Sequence, residues 1–182
     1  MIILGVDPGT LVTGYGVIET HNGTARVLVC GSVNNTAKQT MPVRLQKIYD
    51  ELEKIIRRYK PDEFAIETAF YGKNAQSALK LGHARGVAML AAVRREIPTS
   101  EYSPREVKKA IVGKGTASKE QVQYMVQSIL RLVERPEVYD VTDALAVAIC
   151  HMHRKGASKN TFKSWKTYLR AHPEKIARRN NA

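Results

Sequence analysis

The chain has 182 residues, a length that suits one domain with its own hydrophobic core. It carries 29 Lys and Arg against 17 Asp and Glu, and the net charge of +12 favours a polyanionic partner such as nucleic acid. Its two cysteines lack CxxC spacing, which argues against a disulfide framework or a zinc site.

The beginning of the chain predicts strands. Ile2 to Val6 is a short apolar run bounded by Pro8-Gly9, and Gly14 to Glu19 alternates between apolar and other residues. His21-Asn22-Gly23 supplies a hairpin turn before a third segment, Arg26 to Val33. We therefore expect three antiparallel strands.

A helix and a fourth strand follow. Thr40 is placed to cap a helix near Pro42. Apolar residues at spacings of three and four mark its buried face: Leu45, Ile48, Leu52, Ile55 and Tyr59. Phe64 to Ile66 then reads as a strand.

A long helix is predicted from about Asn74 to Arg95. Ala78, Gly82 and Gly86 recur along it at every fourth position, and such small residues allow another helix to approach closely.

The last core elements are a brief strand, Thr99 to Tyr102, and helices. Capping boxes at Ser103 to Glu106 and Ser118 to Gln121 mark helix starts, and a final helix runs from about Tyr139 to His153. The order β-β-β-α-β-α-β-α-α predicts the α/β class, with a mixed five-stranded sheet flanked by helices.

Four acids stand at the ends of these elements. Asp7 ends the first strand, Glu67 ends the fourth, and Asp140 and Asp143 share a face in the first turn of the final helix. Strand ends of this kind line the ligand crevice of open α/β sheets. Taken singly, Asp7 also fits a turn, and Asp140 or Asp143 also fits the positive end of a helix dipole.

Gathering four carboxylates is costly without cations. Two unit charges about 4 Å apart repel by roughly 4 kcal/mol at an effective dielectric of about 20. Oxygen ligands suit Mg²⁺ or Mn²⁺, and two such ions about 3.5 to 4 Å apart can hold the attacking and leaving oxygens of a phosphodiester. In a basic protein this predicts a nuclease that works with two metal ions.

Several motifs occur in one particular order. They are Ile3 to Thr10, Val12 to Ile18, Phe64 to Glu67, Lys73 to Gly82, Ala84 to Ala88 and Asp143 to Ala148. Together they resemble the RuvC family of bacterial Holliday junction resolvases over nearly all of residues 1 to 154. The resemblance implies a ribonuclease H-like fold and paired, symmetric nicks at four-way junctions in DNA recombination and repair.

The same resemblance implies cofactors and partners. It implies Mg²⁺, with two ions per subunit and Mn²⁺ as a substitute, a homodimer, and partnership with the RuvA and RuvB branch-migration complex. The family's catalytic, metal-binding acids match four positions of this chain: Asp7, Glu67, Asp140 and Asp143.

Further positions match the family's DNA contacts. Lys108 and Lys119 match basic residues near the scissile DNA, and Phe70 matches an aromatic on the junction-facing loop. Thr68 stands where glutamine often follows the catalytic glutamate, which leaves the cleavage preference open.

The division into domains follows from the same match. We expect a nuclease domain over residues 1–154 and a basic C-terminal extension over 155–182. Residues 154–182 hold nine Lys or Arg against the single acid Glu174. The extension either contacts DNA or forms a helix docked on the body, and we favour docking because Trp165 and Tyr168 fit one apolar face.

Location and histidines complete the expectations. The longest apolar run, Gly86 to Val93, is far short of the roughly 18 residues that cross a bilayer. With no basic stretch typical of a signal peptide, the protein is expected in the cytoplasm, without a membrane partner. His151 and His153 point to different helix faces, so neither is assigned to catalysis.

Other functions were weighed against a junction resolvase. Actin-like or sugar-kinase ATPases share the D-x-G-T turn but need a second domain that this length does not allow. A non-catalytic DNA-binding module would explain the basic tail but not four acids that repel phosphate. A nuclease of the same fold acting on RNA is the strongest alternative.

Overall fold

The secondary structure is that of an α/β domain. The structure is a computed structural model that describes residues 1–68, 75–133, 136 and 138–158. Residues 156–158 are described by their backbone alone. Its elements are β1 (Ile2–Asp7), β2 (Val12–His21), β3 (Thr24–Asn34), α1 (Met41–Tyr59), β4 (Glu63–Glu67), α2 (Ala75–Val93), β5 (Thr99–Tyr102), α3 (Pro104–Val112), α4 (Lys119–Leu130) and α5 (Tyr139–Ser158).

The five strands form one mixed sheet in the order β3-β2-β1-β4-β5. β1, β2 and β3 are antiparallel, as the hairpin turn predicts, and β4 and β5 run parallel to β1. A parallel pair needs a crossover connection, and α1 and α2 supply the two crossovers. The predicted mixed sheet is confirmed.

The two faces of the sheet bury separate apolar layers. Alternate residues of β1 point to opposite sides, so Leu4 and Val6 pack with α1 and α2, whereas Ile3 packs with α3, α4 and α5. All three side chains are fully buried. This alternation also decides that Asp7, two residues beyond Gly5, lies on the α5 side.

Several element boundaries differ from the predictions. Both capping boxes, at Ser103 and Ser118, are present, and each begins its own helix. Three helices therefore follow β5 rather than two. Thr40 is the N-cap of α1 as predicted, but its side chain makes no capping hydrogen bond, and Pro42 starts the helix instead.

The final helix is longer than expected. α5 continues through Lys155 to Ser158, whereas the apolar pattern predicts an end near His153. Cys30 and Cys150 are free thiols, as predicted. Across the described residues, none of the helices combines the length and apolar character that a membrane crossing requires.

Candidate metal centre at the ends of the central strands

Two adjacent parallel strands bring Asp7 and Glu67 together. Val6 pairs with Ile66 in the β1–β4 ladder, so the next residue on each strand, Asp7 and Glu67, ends its strand at the same edge. Repulsion from Glu67 is among the causes that raise the pKa of Asp7, so the two carboxyls lie close enough to interact.

Glycines bring α5 onto the same edge. Gly14 pairs with Asp7 across β1 and β2, and a Cβ built on Gly14 would lie 1.9 Å from the Asp140 carbonyl oxygen. A Cβ on Gly5 would lie 2.2 Å from the Ala144 carbonyl oxygen. Only glycine allows so close an approach. The glycines at these strand positions therefore let α5 pack close to the sheet, which brings Asp140 and Asp143 near Asp7.

The four acids influence one another electrostatically. Burial, followed by repulsion from Glu67, Asp143 and Asp140, raises the pKa of Asp7 to about 8. Burial and then repulsion from Asp143 raise the pKa of Glu67 to about 7, against the opposing charges of Lys119 and Lys108. Burial also raises the pKa of Asp143. We call Asp7, Glu67, Asp140 and Asp143 the acid cluster.

Two lysines border the acid cluster. Lys119 Nζ lies 3.5 Å from Asp143 Oδ2 and 5.7 Å from the centroid of the Tyr139 ring. Asp143 is the main reason that the pKa of Lys119 is raised. Lys108 helps to lower the pKa values of Glu67 and Asp143, which places its charge near them as well. Lys119 therefore contacts the acid cluster, and Lys108 lies within electrostatic range of it.

The acid cluster fits a divalent cation chemically. Every donor is a carboxylate oxygen, and the raised pKa values of Asp7, Glu67 and Asp143 are those of buried carboxylates whose charge is not fully compensated. In the described ranges, no three Asp, Glu, His or Cys side chains gather closely enough to hold one ion by themselves. Mg²⁺ usually takes only one or two protein carboxylates and completes its shell with water and phosphate oxygens, so an open arrangement suits it.

The segment predicted to face the junction lies outside the described residues, which include neither Phe70 nor the rest of 69–74. Thr68, the described residue that precedes this segment, is held by two hydrogen bonds. The Thr68 N–H and hydroxyl both donate to the Tyr102 carbonyl, at 2.8 and 3.3 Å. Thr68 therefore uses its side chain to join β4 to β5.

Sequence reasoning missed two contributors to the site. Tyr139, which precedes Asp140, carries the ring beneath Lys119. Gly5, Gly14 and Gly16 set the approach of α5, as a Cβ on Gly16 would also meet Leu145 at 2.5 Å. Glycines at alternate positions of paired strands are the signal that could have revealed that approach.

Comparison with known proteins identifies similar chains. A family model described as crossover junction endodeoxyribonuclease RuvC matches residues 3–151. The RuvC of Salinibacter ruber is 42% identical over 178 residues, covering 97% of this chain and 99% of that protein. The RuvC of Shewanella sediminis is 53% identical over 152 residues, covering 84% and 87%.

A solved structure of the same kind is similar in its backbone. T. thermophilus RuvC in complex with a Holliday junction substrate superposes with a TM-score of 0.80 at 33% identity. The match covers 86% of this chain and 96% of that one. It confirms the expected ribonuclease H-like fold.

Proposed function

Because the chain belongs to the RuvC family of crossover junction endodeoxyribonucleases, we propose that it resolves Holliday junctions by paired, symmetric, metal-dependent nicks. The observation that carries the proposal is the convergence of four acids from β1, β4 and α5 at one edge of the sheet. The T. thermophilus relative, which was solved with a junction substrate, supports the choice of DNA over RNA.

The acid cluster is the proposed metal site. Asp7, Glu67, Asp140 and Asp143 would hold two Mg²⁺, or Mn²⁺ in their place. Bound ions would supply an activated water and charge stabilisation at the leaving 3′-oxygen, giving a 5′-phosphate. The protein supplies the rest: partly buried carboxylates fixed on strands and a helix, and the ammonium group of Lys119 beside Asp143.

DNA binding is assigned to the cations next to the cluster. Lys108 follows the capping box that begins α3, and Lys119 is the first residue of α4, inside its capping box, so both boxes fix where these lysines stand. Both would neutralise phosphates on either side of the scissile bond. Phe70 is proposed to stack on a base at the opened crossover, on the sequence match alone.

The protein is proposed to act as a homodimer. A line of apolar and small residues stays exposed along α2, at a spacing of three and four: Leu79, Gly82, Gly86, Leu90 and Val93. Apart from the neighbouring backbone of α2 itself, nothing in the described structure lies within 4 Å of a Cβ built on either glycine. A twofold dimer through this surface would present two equivalent sites to a junction of matching symmetry.

The remaining assignments concern partners and organisation. We keep the RuvA and RuvB complex as the expected partner and the cytoplasm as the expected location. We also keep a nuclease domain over 1–154 and a basic extension over 155–182, although α5 carries the helical backbone four residues into the extension.

One assay tests the proposal. The full chain is incubated with a labelled immobile four-way junction and with linear duplex of the same sequence, with and without Mg²⁺. We expect symmetric, ligatable nicks in the junction only, and only with Mg²⁺. Equal cutting of the duplex, or cutting in EDTA, would contradict a metal-dependent junction resolvase.

A further inference from the structure

A buried histidine links α5 to both β4 and β5. The His151 side chain is 1% exposed, and its Nδ1 lies 2.8 Å from the Tyr102 hydroxyl oxygen. The two rings meet edge to face with their centroids 5.8 Å apart. On the other side, His151 Nε2 lies 3.6 Å from Glu63 Oε2. One helix residue thus contacts two neighbouring strands.

The surrounding charges determine where the ring carries its proton. Burial lowers the pKa of His151, and so does Lys155, against the opposing effect of Glu63. Lys155 pairs with the other carboxylate oxygen of Glu63, and Arg154 lies over the Tyr102 ring at 5.6 Å. A neutral ring between these partners is best satisfied when Tyr102 donates to Nδ1 and Nε2–H faces the carboxylate.

Tyr102 connects this contact to the acid cluster. It pairs with Glu67 in the β4–β5 ladder, and its carbonyl accepts the two hydrogen bonds from Thr68. His151 therefore touches the strand residue that lies directly opposite one of the acids.

α5 is held to the two halves of the sheet by different contacts. Toward β1 and β2, the close backbone contacts at Gly5 and Gly14 set its distance from Asp7. Toward β4 and β5, the polar contacts of His151 contribute to its position. Asp7 belongs to β1 and Glu67 to β4. The distance from Asp143 to Glu67 therefore depends on the contacts of His151 with β4 and β5.

We propose that His151 is a positioning residue for the acid cluster, since it ties the helix bearing Asp140 and Asp143 to the strands beside Glu67. The inference rests on the proposed function, because it takes the acids to be metal ligands. His151 lies eight residues beyond Asp143, which is about 12 Å along the helix, so it acts on metal through geometry alone. Carboxylates that bind metal need placement to within about 0.5 Å.

The test measures metal binding directly. Mn²⁺ is titrated calorimetrically into the metal-free full chain, into Tyr102→Phe and His151→Phe, and into the control His153→Gln, which changes an exposed histidine on the same helix. We expect both network variants to bind Mn²⁺ roughly three- to tenfold more weakly, less than the 10- to 100-fold typical of groups bonded directly to a ligand. The control should match the parent.

Two further measurements separate positioning from general stability. The Mg²⁺ concentration for half-maximal junction cleavage should rise by the same factor, while the rate at saturating Mg²⁺ and junction binding in EDTA stay close to parent values. Tyr102→Phe removes only a hydroxyl. It therefore tests whether the contact with His151 positions the acid cluster even if His151→Phe fails to fold.

The outcomes are distinguishable. A lowered melting temperature with parental Mn²⁺ affinity in Tyr102→Phe would overturn the inference and leave His151 a core residue. Parent protein that binds Mn²⁺ but does not cut junctions would overturn the proposed substrate, while the titrations would still decide the role of His151. Parent protein that binds no Mn²⁺ would overturn both.

Discussion

Asp7 is the carboxyl on which the mutual repulsion of the site falls most heavily. Its neighbours raise its pKa beyond the effect of burial. We expect Asp7→Asn to abolish cleavage, by about 10³-fold or more, since several kcal/mol of charge stabilisation is lost at about 1.4 kcal/mol per tenfold. Glu67→Gln should behave alike. Junction cleavage with Mg²⁺, alongside junction binding in EDTA, measures both effects.

The same substitutions carry an internal control on folding. Above about pH 8, where Asp7 is ionised, the substitution removes a charge and its repulsion, so metal-free Asp7→Asn should melt at or above the parent temperature there. Cleavage that survives in either variant would contradict the metal role of the acid cluster, and a collapse in stability would point to a structural one.

Lys119 partly compensates the acid cluster. Its ammonium lies 3.5 Å from Asp143. We expect Lys119→Ala to slow cleavage and to reduce the salt dependence of junction binding by about one unit of log–log slope, because one phosphate contact is lost. Lys108→Ala should do the same.

Lys54→Ala, on the opposite face of the molecule, is the matched control, and an unchanged slope in both test variants would make these lysines ordinary surface residues.

The junction of α5 with the sheet depends on glycine. An alanine at position 14 would place its Cβ 1.9 Å from the Asp140 carbonyl oxygen, so the first turn of α5 must move. Gly14→Ala should cost about 1 to 3 kcal/mol of unfolding free energy and weaken metal binding at least tenfold.

Gly31→Ala is the strand control for Gly14. Its Cβ meets the far end of the Tyr15 side chain, which can shift. Urea unfolding and Mn²⁺ titration of the two variants measure the difference. Equal behaviour of both glycines would show that close packing at Asp140 does not position the acids.

The predictable part of the elements is the part with a local cause. The hairpin turn at Asn22-Gly23, the capping boxes and the alternation in β1 all have short-range physical reasons, and the structure shows each of them. The Tyr102–His151 contact spans 49 residues and follows from how α5 lies on the sheet, so no local pattern indicates it. The sequence predicts the acids because they lie at the ends of strands and helices. It predicts no close contact between the strand glycines and α5, because that contact depends on how distant elements pack.

The stability of the folded protein should depend jointly on pH and divalent metal. Folding raises the pKa values of Asp7 and Glu67 to about 8 and about 7, from roughly 4 in the unfolded chain. The folded state thus binds more protons between about pH 4 and pH 8, so these groups make metal-free protein less stable as pH rises through that range.

Metal should reverse this pH trend, because it binds the ionised carboxylates. Melting curves with and without Mg²⁺ test it: the stabilisation by Mg²⁺ should be larger at pH 8 than at pH 5. In Asp7→Asn the difference between the two pH values should shrink. A Mg²⁺ effect that is independent of pH would contradict the assignment of metal to these acids.

The line of exposed residues on α2 bears on the assembly of the complete enzyme. Leu90 and Val93 are 51% and 57% exposed, and Gly82 and Gly86 leave room for a second helix to approach the backbone. We expect Leu90→Glu to convert a micromolar dimer into a folded monomer, because a charge would be buried between two copies.

The monomer should nick junctions one strand at a time, whereas Val43→Glu, at an exposed apolar site on α1, should leave both dimer and paired nicking intact. Sedimentation and a cruciform plasmid, which distinguishes single from paired nicks, measure the two properties, and a parent that is monomeric yet nicks in pairs would refute the dimer.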